Sequence, residues 1–293
     1  MKEKRLKHMP QPECSSLYKR TTAIDHTGAQ IQTPIIHERP LTIFLNAQEI
    51  VTLMTIGDHP KWLAVGYLYN QNIIQQHSEI TQIDYEEDIN TVVVRTKTKT
   101  NFEEKLKRKT QTSGCGQGTA FGDLIETIED QVLEDGPQFN IRTLPELLKT
   151  INLTPRLYLK TGAIHGCVLC DHQEPLIYME DVGRHNAVDK IAGLMLQEGI
   201  SAKDKLFYTT GRLTSEMVIK SVRMQLPILI TRSGFTAWAL ELAVAANLTM
   251  IGRARGKRFI ALSGFERLSG IPSAKRAERP KAPAELKAEE TRP

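Results

Sequence analysis

The residue type best suited to covalent chemistry is a cysteine in a glycine-rich stretch. Cys115 lies within Ser113-Gly114-Cys115-Gly116-Gln117-Gly118, and it follows a basic run at 105–109. Glycines on both sides favour an exposed, mobile loop, and nearby cations favour the thiolate, which is the nucleophilic form of cysteine. The pattern predicts a reactive thiol at Cys115. The alternative is a flexible linker that happens to contain a cysteine.

Three arginines recur at equivalent positions in the C-terminal half. Arg184, Arg212 and Arg232 each follow a short apolar run and precede a helical period. Strands that alternate with helices predict a parallel sheet, whose ligands bind at the carboxyl ends of the strands. Cations at helix starts oppose the helix dipole, and a bound anion would offset that cost. We therefore predict one cationic crevice for a ligand with phosphates. The alternative is surface charge.

A motif with the spacing of half a zinc site lies at 165–172. Cys167 and Cys170 are flanked by His165 and His172. The segment 157–169 is predicted to be extended, with a hairpin turn at 171–174, and residues three apart on a strand face opposite sides. The two thiols would then point apart, so we expect no metal here. The zinc deaminase signature is also absent, because His165-Gly166-Cys167 lacks its glutamate.

A basic segment, Arg253-Ala254-Arg255-Gly256-Lys257-Arg258, lies between predicted strands at 248–251 and 259–262. Basic residues around a glycine at such a turn suit phosphate, although a plain charged hairpin tip is equally compatible. His185 is either a ligand contact or an acid/base group. Asn186 with Asp189 resembles a capping box.

These residues need a scaffold, which the chain divides into five predicted parts. A flexible N-terminal segment covers 1–36, a small α+β region covers 37–97, and a mobile loop with Cys115 covers 98–119. An α/β domain covers 120–272, and a disordered tail covers 273–293. In the α+β region we predict strands at 41–45, 50–54, 80–85 and 91–96. Asp58 is predicted to cap a helix that contains Pro60.

Composition limits the class of protein. The 293 residues are 40% hydrophobic and 25% charged with a net charge of +4, which is ordinary for a soluble globular protein and weak support for nucleic-acid binding. Four cysteines are too few for a disulfide scaffold. With no apolar run long enough for a membrane helix and no secretory signal pattern, we expect a cytoplasmic protein that binds neither membrane nor nucleic acid.

Taken together, these stretches resemble the formate dehydrogenase accessory sulfurtransferase family (FdhD/NarQ). The resemblance covers most of 38–268. Its most specific parts are Thr161-Gly162-x-x-His165, Glu180-Asp-Val-Gly-Arg-His-Asn-Ala-Val-Asp-Lys190 and Gly211-Arg212-x-x-Ser215-Glu216-Met217-Val218.

The resemblance implies an α/β fold with a cytidine-deaminase-like mixed sheet flanked by helices. It implies that Cys115 accepts a persulfide from a cysteine desulfurase. The sulfur would pass to molybdenum in the bis(molybdopterin guanine dinucleotide) cofactor, bound as cargo, for the catalytic subunit of formate dehydrogenase. No protein-ligated metal is expected, molybdenum and tungsten are not distinguished, and a homodimer is left open.

The family's cofactor-binding segment aligns with 253–258. We expect the cofactor to contact this segment and also the residues of the joints and signatures, namely His165, Arg184, His185, Gly211, Arg212, Ser215, Ser233 and Thr236.

The sequence departs from the family pattern in places. Gly118 stands where the family often has a second cysteine, so the loop cannot close its own disulfide. Ser233-Gly234-Phe235-Thr236 and Thr161-Gly162-Ala163 also differ from the usual family residues. Two other functions compete with sulfur transfer. One is a non-catalytic carrier or chaperone of the cofactor, and the other is a zinc hydrolase related to the deaminases.

Overall fold

The secondary structure is a mixture of helices and strands in several sheets. The computed structural model describes residues 7–97, 110–111, 118–119 and 131–271. Contacts divide the chain into a first unit (Met1–Asn101, Thr154–Cys167 and Ile177–Ile200) and a second unit (Phe102–Leu153, Val168–Leu176 and Ser201–Pro293). The predicted α/β class is confirmed.

The strands are numbered in chain order. They are β1 (Tyr18–Ile24), β2 (Gln30–Ile36), β3 (Arg39–Leu45), β4 (Gln48–Thr55), β5 (Ile80–Glu86), β6 (Thr91–Thr96), β7 (Thr110–Gln111), β8 (Gly118–Thr119), β9 (Phe139–Asn140), β10 (His165–Cys170), β11 (Pro175–Asp181), β12 (Leu206–Thr209), β13 (Ile228–Thr231), β14 (Thr249–Arg255), β15 (Arg258–Ser263) and β16 (Leu268–Ser269). The helices are α1 (Pro60–Asn70), α2 (Leu144–Leu153), α3 (Tyr158–Thr161), α4 (Arg184–Glu198), α5 (Ser215–Arg223) and α6 (Ala237–Ala245).

The first unit contains a four-stranded sheet of order β4–β3–β6–β5. On β3, Leu41, Ile43 and Leu45 alternate with more exposed residues and are buried, as expected for a strand with one face on the core. The turn into β4 uses Asn46 at φ 55°, a conformation that asparagine tolerates better than most residues. The four strands predicted in this region are confirmed.

Helices α1 and α4 pack closely at two glycines. A Cβ atom at Gly66 would lie 1.7 Å from the carbonyl oxygen of Asp189, and one at Gly193 would lie 2.0 Å from that of Trp62. Only glycine permits backbones to approach this closely. One turn away, the buried Asn70 donates a 2.7 Å hydrogen bond to the Asp189 carboxylate. Helix α4 is therefore fixed against α1 by backbone contact and one polar anchor.

Two local predictions for the first unit are wrong. Asp58 does not cap α1, because the N-cap is His59 at φ 49°, with Pro60 as the first helical residue. The segment 157–169 is not extended throughout, because Tyr158–Thr161 forms α3 and β10 begins at His165.

Residues 18–36 form a hairpin that the sequence pattern did not predict. Strands β1 and β2 pair antiparallel from Tyr18↔Ile36 to Ile24↔Gln30. The turn is held by Asp25, whose carboxylate accepts a 2.8 Å hydrogen bond from the backbone N–H of Thr27. Much of the hairpin is exposed, so its strands lack the alternation of apolar residues that identifies a half-buried strand.

The largest sheet has the order β11–β10–β12–β13–β14–β15. In the second unit, β12, β13 and β14 are parallel neighbours, and β15 returns antiparallel to β14. Helix α5 follows β12 and helix α6 follows β13, as predicted for the second and third joints. The loops after β12 and β13 consequently leave the same edge of the sheet.

Some predictions concern residues outside the described ranges. They are the tail 273–293 and the loop 98–119 apart from β7 and β8. These two short strands pair antiparallel as Thr110↔Thr119 and Gln111↔Gly118. Within the described part of the chain, no helix has both the length and the apolar character to cross a membrane.

Candidate cofactor-binding site

Two buried threonines fix the loops at the edge of the second unit's sheet. Thr209 ends β12, and its hydroxyl accepts a 3.1 Å hydrogen bond from the Gly211 N–H. Thr231 ends β13, and its hydroxyl donates to the Gly211 carbonyl at 2.6 Å and accepts from the Ser233 N–H at 2.9 Å. Both threonines are fully buried. The second and third joints are thus tied together at their origins.

The same two loops are joined again where their helices begin. The Leu213 N–H donates to the Gly234 carbonyl at 3.0 Å, and the Thr236 N–H donates to the Leu213 carbonyl at 3.1 Å. The Thr236 hydroxyl caps α6 by accepting from the Ala239 N–H at 3.3 Å. The N-termini of α5 and α6 therefore lie on adjacent loops.

The basic segment forms the β14–β15 hairpin, as predicted, and it is anchored to the third joint. The Arg253 N–H donates to the Ser233 carbonyl at 3.0 Å, and Arg255 Nε donates to the Arg232 carbonyl at 3.2 Å. The Arg253 guanidinium lies over the Phe235 ring at 5.8 Å. Across the hairpin, Arg255 pairs with Arg258. We call the loops 210–215 and 232–236 and the hairpin 253–258 the loop cluster.

The loop cluster presents several cations to solvent. Its exposed residues include Arg212, Arg253, Arg255, Gly256, Lys257 and Arg258, while Ala254 is buried. Gly211 and Ser215 are buried beside them, Ser233 is partly exposed, and Thr236 is exposed. Guanidinium groups and the N–H groups of helix N-termini are donors that bind phosphate oxygens. The cluster is chemically suited to a ligand with more than one phosphate.

The first joint, in the first unit, differs from the prediction. Arg184, His185 and Asn186 do not lie in a loop but form the first turn of α4, and all three are buried. Arg184 was predicted as an accessible cation, yet only 6% of it is exposed. His165, at the start of β10, is partly buried. A single crevice with Arg184, Arg212 and Arg232 would combine both units and stays a prediction.

The predicted capping box is also wrong. The N-cap of α4 is Gly183, and Asn186 lies inside the helix. Its side chain donates to the Met54 carbonyl at 2.7 Å and to the Asp181 carboxylate at 3.0 Å. Asn186 is therefore structural, but it ties the start of α4 to β4 and β11 rather than capping the helix.

Sequence reasoning missed a buried ionic group in the first unit. The Lys190 ammonium is fully buried and forms ion pairs with Asp181, at 2.5 Å, and with Asp58. Burial alone would lower its pKa, but Asp181 and Asp58 outweigh burial and raise it. The Thr55 hydroxyl donates to Asp181 at 2.5 Å. The sequence does contain one indication of this group, because Lys190 lies among the apolar residues of the predicted helix α4.

Glu180 is a second buried carboxylate near this group. It accepts hydrogen bonds from the N–H groups of Leu157, at 2.8 Å, and Tyr158, at 3.0 Å. Burial raises the pKa of Glu180 against the opposing effect of these two donors. It therefore holds the start of α3 against the end of β11.

The cysteines differ in accessibility. Cys167 and Cys170 lie on β10, as the extended prediction for these residues required, and both are fully buried. Burial raises the pKa of the Cys170 thiol. Cys14 is partly buried, with Sγ 3.1 Å from the Ser16 hydroxyl. Cys115 lies outside the described residues.

Comparison with known proteins agrees with the resemblance. The FdhD/NarQ family model matches residues 36–269. The sulfur carrier protein FdhD of Listeria monocytogenes serotype 4b is 31% identical over 246 residues, covering 83% of this chain and 94% of that protein. The sulfur carrier protein FdhD of Bacillus pumilus is 30% identical over 236 residues, covering 80% and 90% respectively.

A solved structure shares the fold. The crystal structure of a candidate formate dehydrogenase accessory protein from Desulfotalea psychrophila has a TM-score of 0.69 and 24% identity, covering 86% of this chain and 98% of that one. The label cytidine-deaminase-like stays a prediction. On the extent of the family match and the identity to these relatives, the chain belongs to the FdhD/NarQ family.

Proposed function

We propose that the protein carries sulfane sulfur on Cys115 and delivers it to molybdenum in the bis(molybdopterin guanine dinucleotide) cofactor. The donor is a cysteine desulfurase, and the client is the catalytic subunit of formate dehydrogenase. The name shared by the relatives, sulfur carrier protein FdhD, supports the sulfur-carrying part of this proposal.

The loop cluster is the observation that carries the cofactor part. Two helix N-termini and a basic hairpin are joined within one unit by main-chain hydrogen bonds and by the Arg255 guanidinium, which donates to the Arg232 carbonyl. A guanine-dinucleotide pterin contains several phosphates, and a fixed set of cationic and N–H donors suits them. Because this scaffold is held by buried threonines, little ordering is needed when the cofactor binds.

Sulfur loading needs an accessible thiolate. The Cys115 thiolate attacks the outer sulfur of the donor persulfide, the sulfur–sulfur bond of the donor breaks, and the donor leaves as its thiolate. Cys167 and Cys170 are unsuited to this reaction, because both are enclosed in the core and a partner's persulfide cannot reach them. Cys115 suits the reaction better, because the glycines around it favour an exposed loop and the basic residues before it favour the thiolate.

Mass spectrometry tests the assignment directly. After incubation with a cysteine desulfurase and free cysteine, Cys115 should gain about 32 Da per added sulfur, reversibly with a thiol reductant. Cys115→Ala should abolish the gain, and Cys14→Ala, as a matched control, should leave it intact. Sulfur on Cys167 or Cys170 that persists in Cys115→Ala would contradict the proposal.

The runner-up is a carrier that only binds the cofactor. It differs from the proposal in one result, because such a carrier would still activate formate dehydrogenase after Cys115→Ala. A zinc hydrolase is the other alternative, and stoichiometric zinc in the purified protein that is lost in Cys167→Ser would favour it over sulfur transfer.

A further inference from the structure

The first unit contains a cavity that the proposed function does not use. Its volume is about 180 Å³, and its walls come from the N-terminal segment, the β4–α1 connection and β11. The lining includes His8, Cys14, Asp58, His59 and Glu180. Five groups with metal-binding or acid–base chemistry around one small cavity are more than packing requires.

Two histidines face each other at this cavity. The Nε2 atoms of His8 and His59 are 3.2 Å apart, and the ring planes are nearly perpendicular. His59 stacks on Trp62, with ring centroids 4.5 Å apart, and His8 meets the same ring edge-on at 5.0 Å. Both imidazoles are therefore held in place by the indole.

The backbone also holds both residues. His8 forms an isolated parallel β-bridge with Ile177 of β11, and its carbonyl accepts a 2.8 Å hydrogen bond from the Tyr178 N–H. His59 has a left-handed backbone at φ 49°, which is unfavourable for a non-glycine residue and is found mainly where the surroundings enforce it. The pair is thus preorganised rather than a chance contact of two free side chains.

The 3.2 Å separation of the two nitrogens allows a hydrogen bond between the rings, and it also fits a shared metal ion. Two imidazole nitrogens bound to one tetrahedral Zn²⁺ lie about 3.3 Å apart, given zinc–nitrogen bonds of roughly 2.0–2.1 Å.

The charge around the pair favours a cation. Asp58 Oδ2 lies 3.7 Å from His59 Nε2. Behind it, one buried ammonium, Lys190, faces two carboxylates, Asp58 and Asp181, which leaves one net negative charge when all three are ionised. Glu180 adds a further carboxyl group to the cavity wall.

We propose that His8 and His59 together bind a zinc ion at this cavity, with water completing its coordination. In the described residues no third His, Cys, Asp or Glu is in position with them, so two protein ligands and solvent define the site. The site is separate from Cys167 and Cys170, and it departs from the sequence-based expectation that the protein ligates no metal. His8 also precedes the family match, which begins at residue 36.

Zinc titration of the full-length, chelator-treated protein tests the proposal. Calorimetry in a non-coordinating buffer should show that one equivalent of Zn²⁺ binds, with an affinity that depends on His8 and His59. His8→Gln and His59→Gln should each weaken binding at least about tenfold. His26→Gln is the matched control, because His26 is exposed at the turn of the β1–β2 hairpin, and it should leave zinc affinity unchanged.

Imidazole nitrogen NMR of the wild-type protein gives a second readout that does not depend on the variants folding. The ring signals of His8 and His59 should shift together and saturate at one equivalent of zinc. Ring signals that stay unmoved in excess zinc, or a zinc affinity that neither glutamine variant changes, would overturn the proposal. Binding that disappears only with Cys115→Ser would also overturn it. None of these results bears on persulfide formation.

Discussion

At the residue scale, loss of the Lys190 ammonium should lower the free energy of unfolding strongly. Lys190→Met removes the ammonium that pairs with both Asp58 and Asp181, and it leaves the buried Asp181 carboxylate close to a second, partly buried carboxylate. Breaking one side of a buried ion pair costs roughly 3–5 kcal/mol. Chemical denaturation should show a loss of this size in the free energy of unfolding.

The control for Lys190 is an ion pair at the surface. Lys149→Met breaks the exposed pair with Glu146 on α2 and should change stability very little, since solvent screens such pairs. If Lys190→Met unfolds at the same denaturant concentration as the wild type, the two aspartates must be stabilised by something other than the ammonium.

His59 should make stability depend on pH. Burial lowers its pKa from 6.5 to about 4, with Asp58 opposing and His8 and Lys190 adding to the shift. The unfolded chain therefore binds a proton below pH 6.5 that the folded chain resists until about pH 4. Above pH 6.5 His59 does not affect the free energy of unfolding. As the pH falls from 6.5 to about 4, that free energy should decrease by an amount on the order of 2 kcal/mol, after allowance for partial exposure of the ring.

The measurement is the difference between the wild type and His59→Asn in zinc-free buffer. Other groups titrate in both proteins, so only the difference isolates His59. Unfolding free energies from pH 4 to 7 should fall more steeply with acid in the wild type than in the variant. Parallel curves would mean that the imidazole is protonated in the folded protein as easily as in the unfolded one.

At the element scale, the crossing of α1 and α4 depends on two glycines. Gly193→Ala would place a methyl group 2.0 Å from the Trp62 carbonyl oxygen, so the helices must separate. We expect a loss of roughly 3 kcal/mol or more, because neither backbone can move without disturbing the other. Glu198→Ala, at the exposed end of the same helix, should change stability by less than about 0.5 kcal/mol. Equal thermal unfolding of both variants would show that the helices separate at little cost.

The elements that sequence predicted best are those with a clear period and clear boundaries. The joints after β12 and β13, the strands β3 to β6 and the basic β14–β15 hairpin all follow from apolar runs bounded by polar turns. The β1–β2 hairpin was missed because much of it is exposed, and its pattern is consequently not set by burial.

The errors concern side chains that act across long sequence separations. Asp58 pairs with Lys190, and Asn186 donates to the Met54 carbonyl, both over 132 residues. Local rules assigned both residues to helix caps, because a short polar side chain near a helix start is usually a cap. Arg184 was predicted at the surface for a related reason. The sequence pattern shows where the helix begins, but it does not show whether the first helical turn faces solvent or the core.

At the scale of the whole molecule, the proposed function has two parts that different residues carry. In this proposal, Cys115 loads the sulfur and the loop cluster holds the cofactor. Arg253→Ala removes an exposed guanidinium from the cluster while Phe235 and the hairpin strands remain. A charge-assisted contact is worth roughly 1.5–3 kcal/mol, so the affinity for GDP, a fragment of the dinucleotide, should fall about tenfold or more. Persulfide loading of Arg253→Ala should be normal.

Cys115→Ala should show the reverse pattern, with unchanged GDP affinity by calorimetry and no persulfide by mass spectrometry. Lys149→Ala, exposed on α2 in the same unit as the cluster, is the control for both assays. If formate dehydrogenase receives sulfur and cofactor together, as proposed, each of the two variants should fail to activate it in cells that lack the wild-type protein. If Cys115→Ala activates the enzyme fully while Arg253→Ala does not, the chain only carries the cofactor, and its sulfur must come from elsewhere.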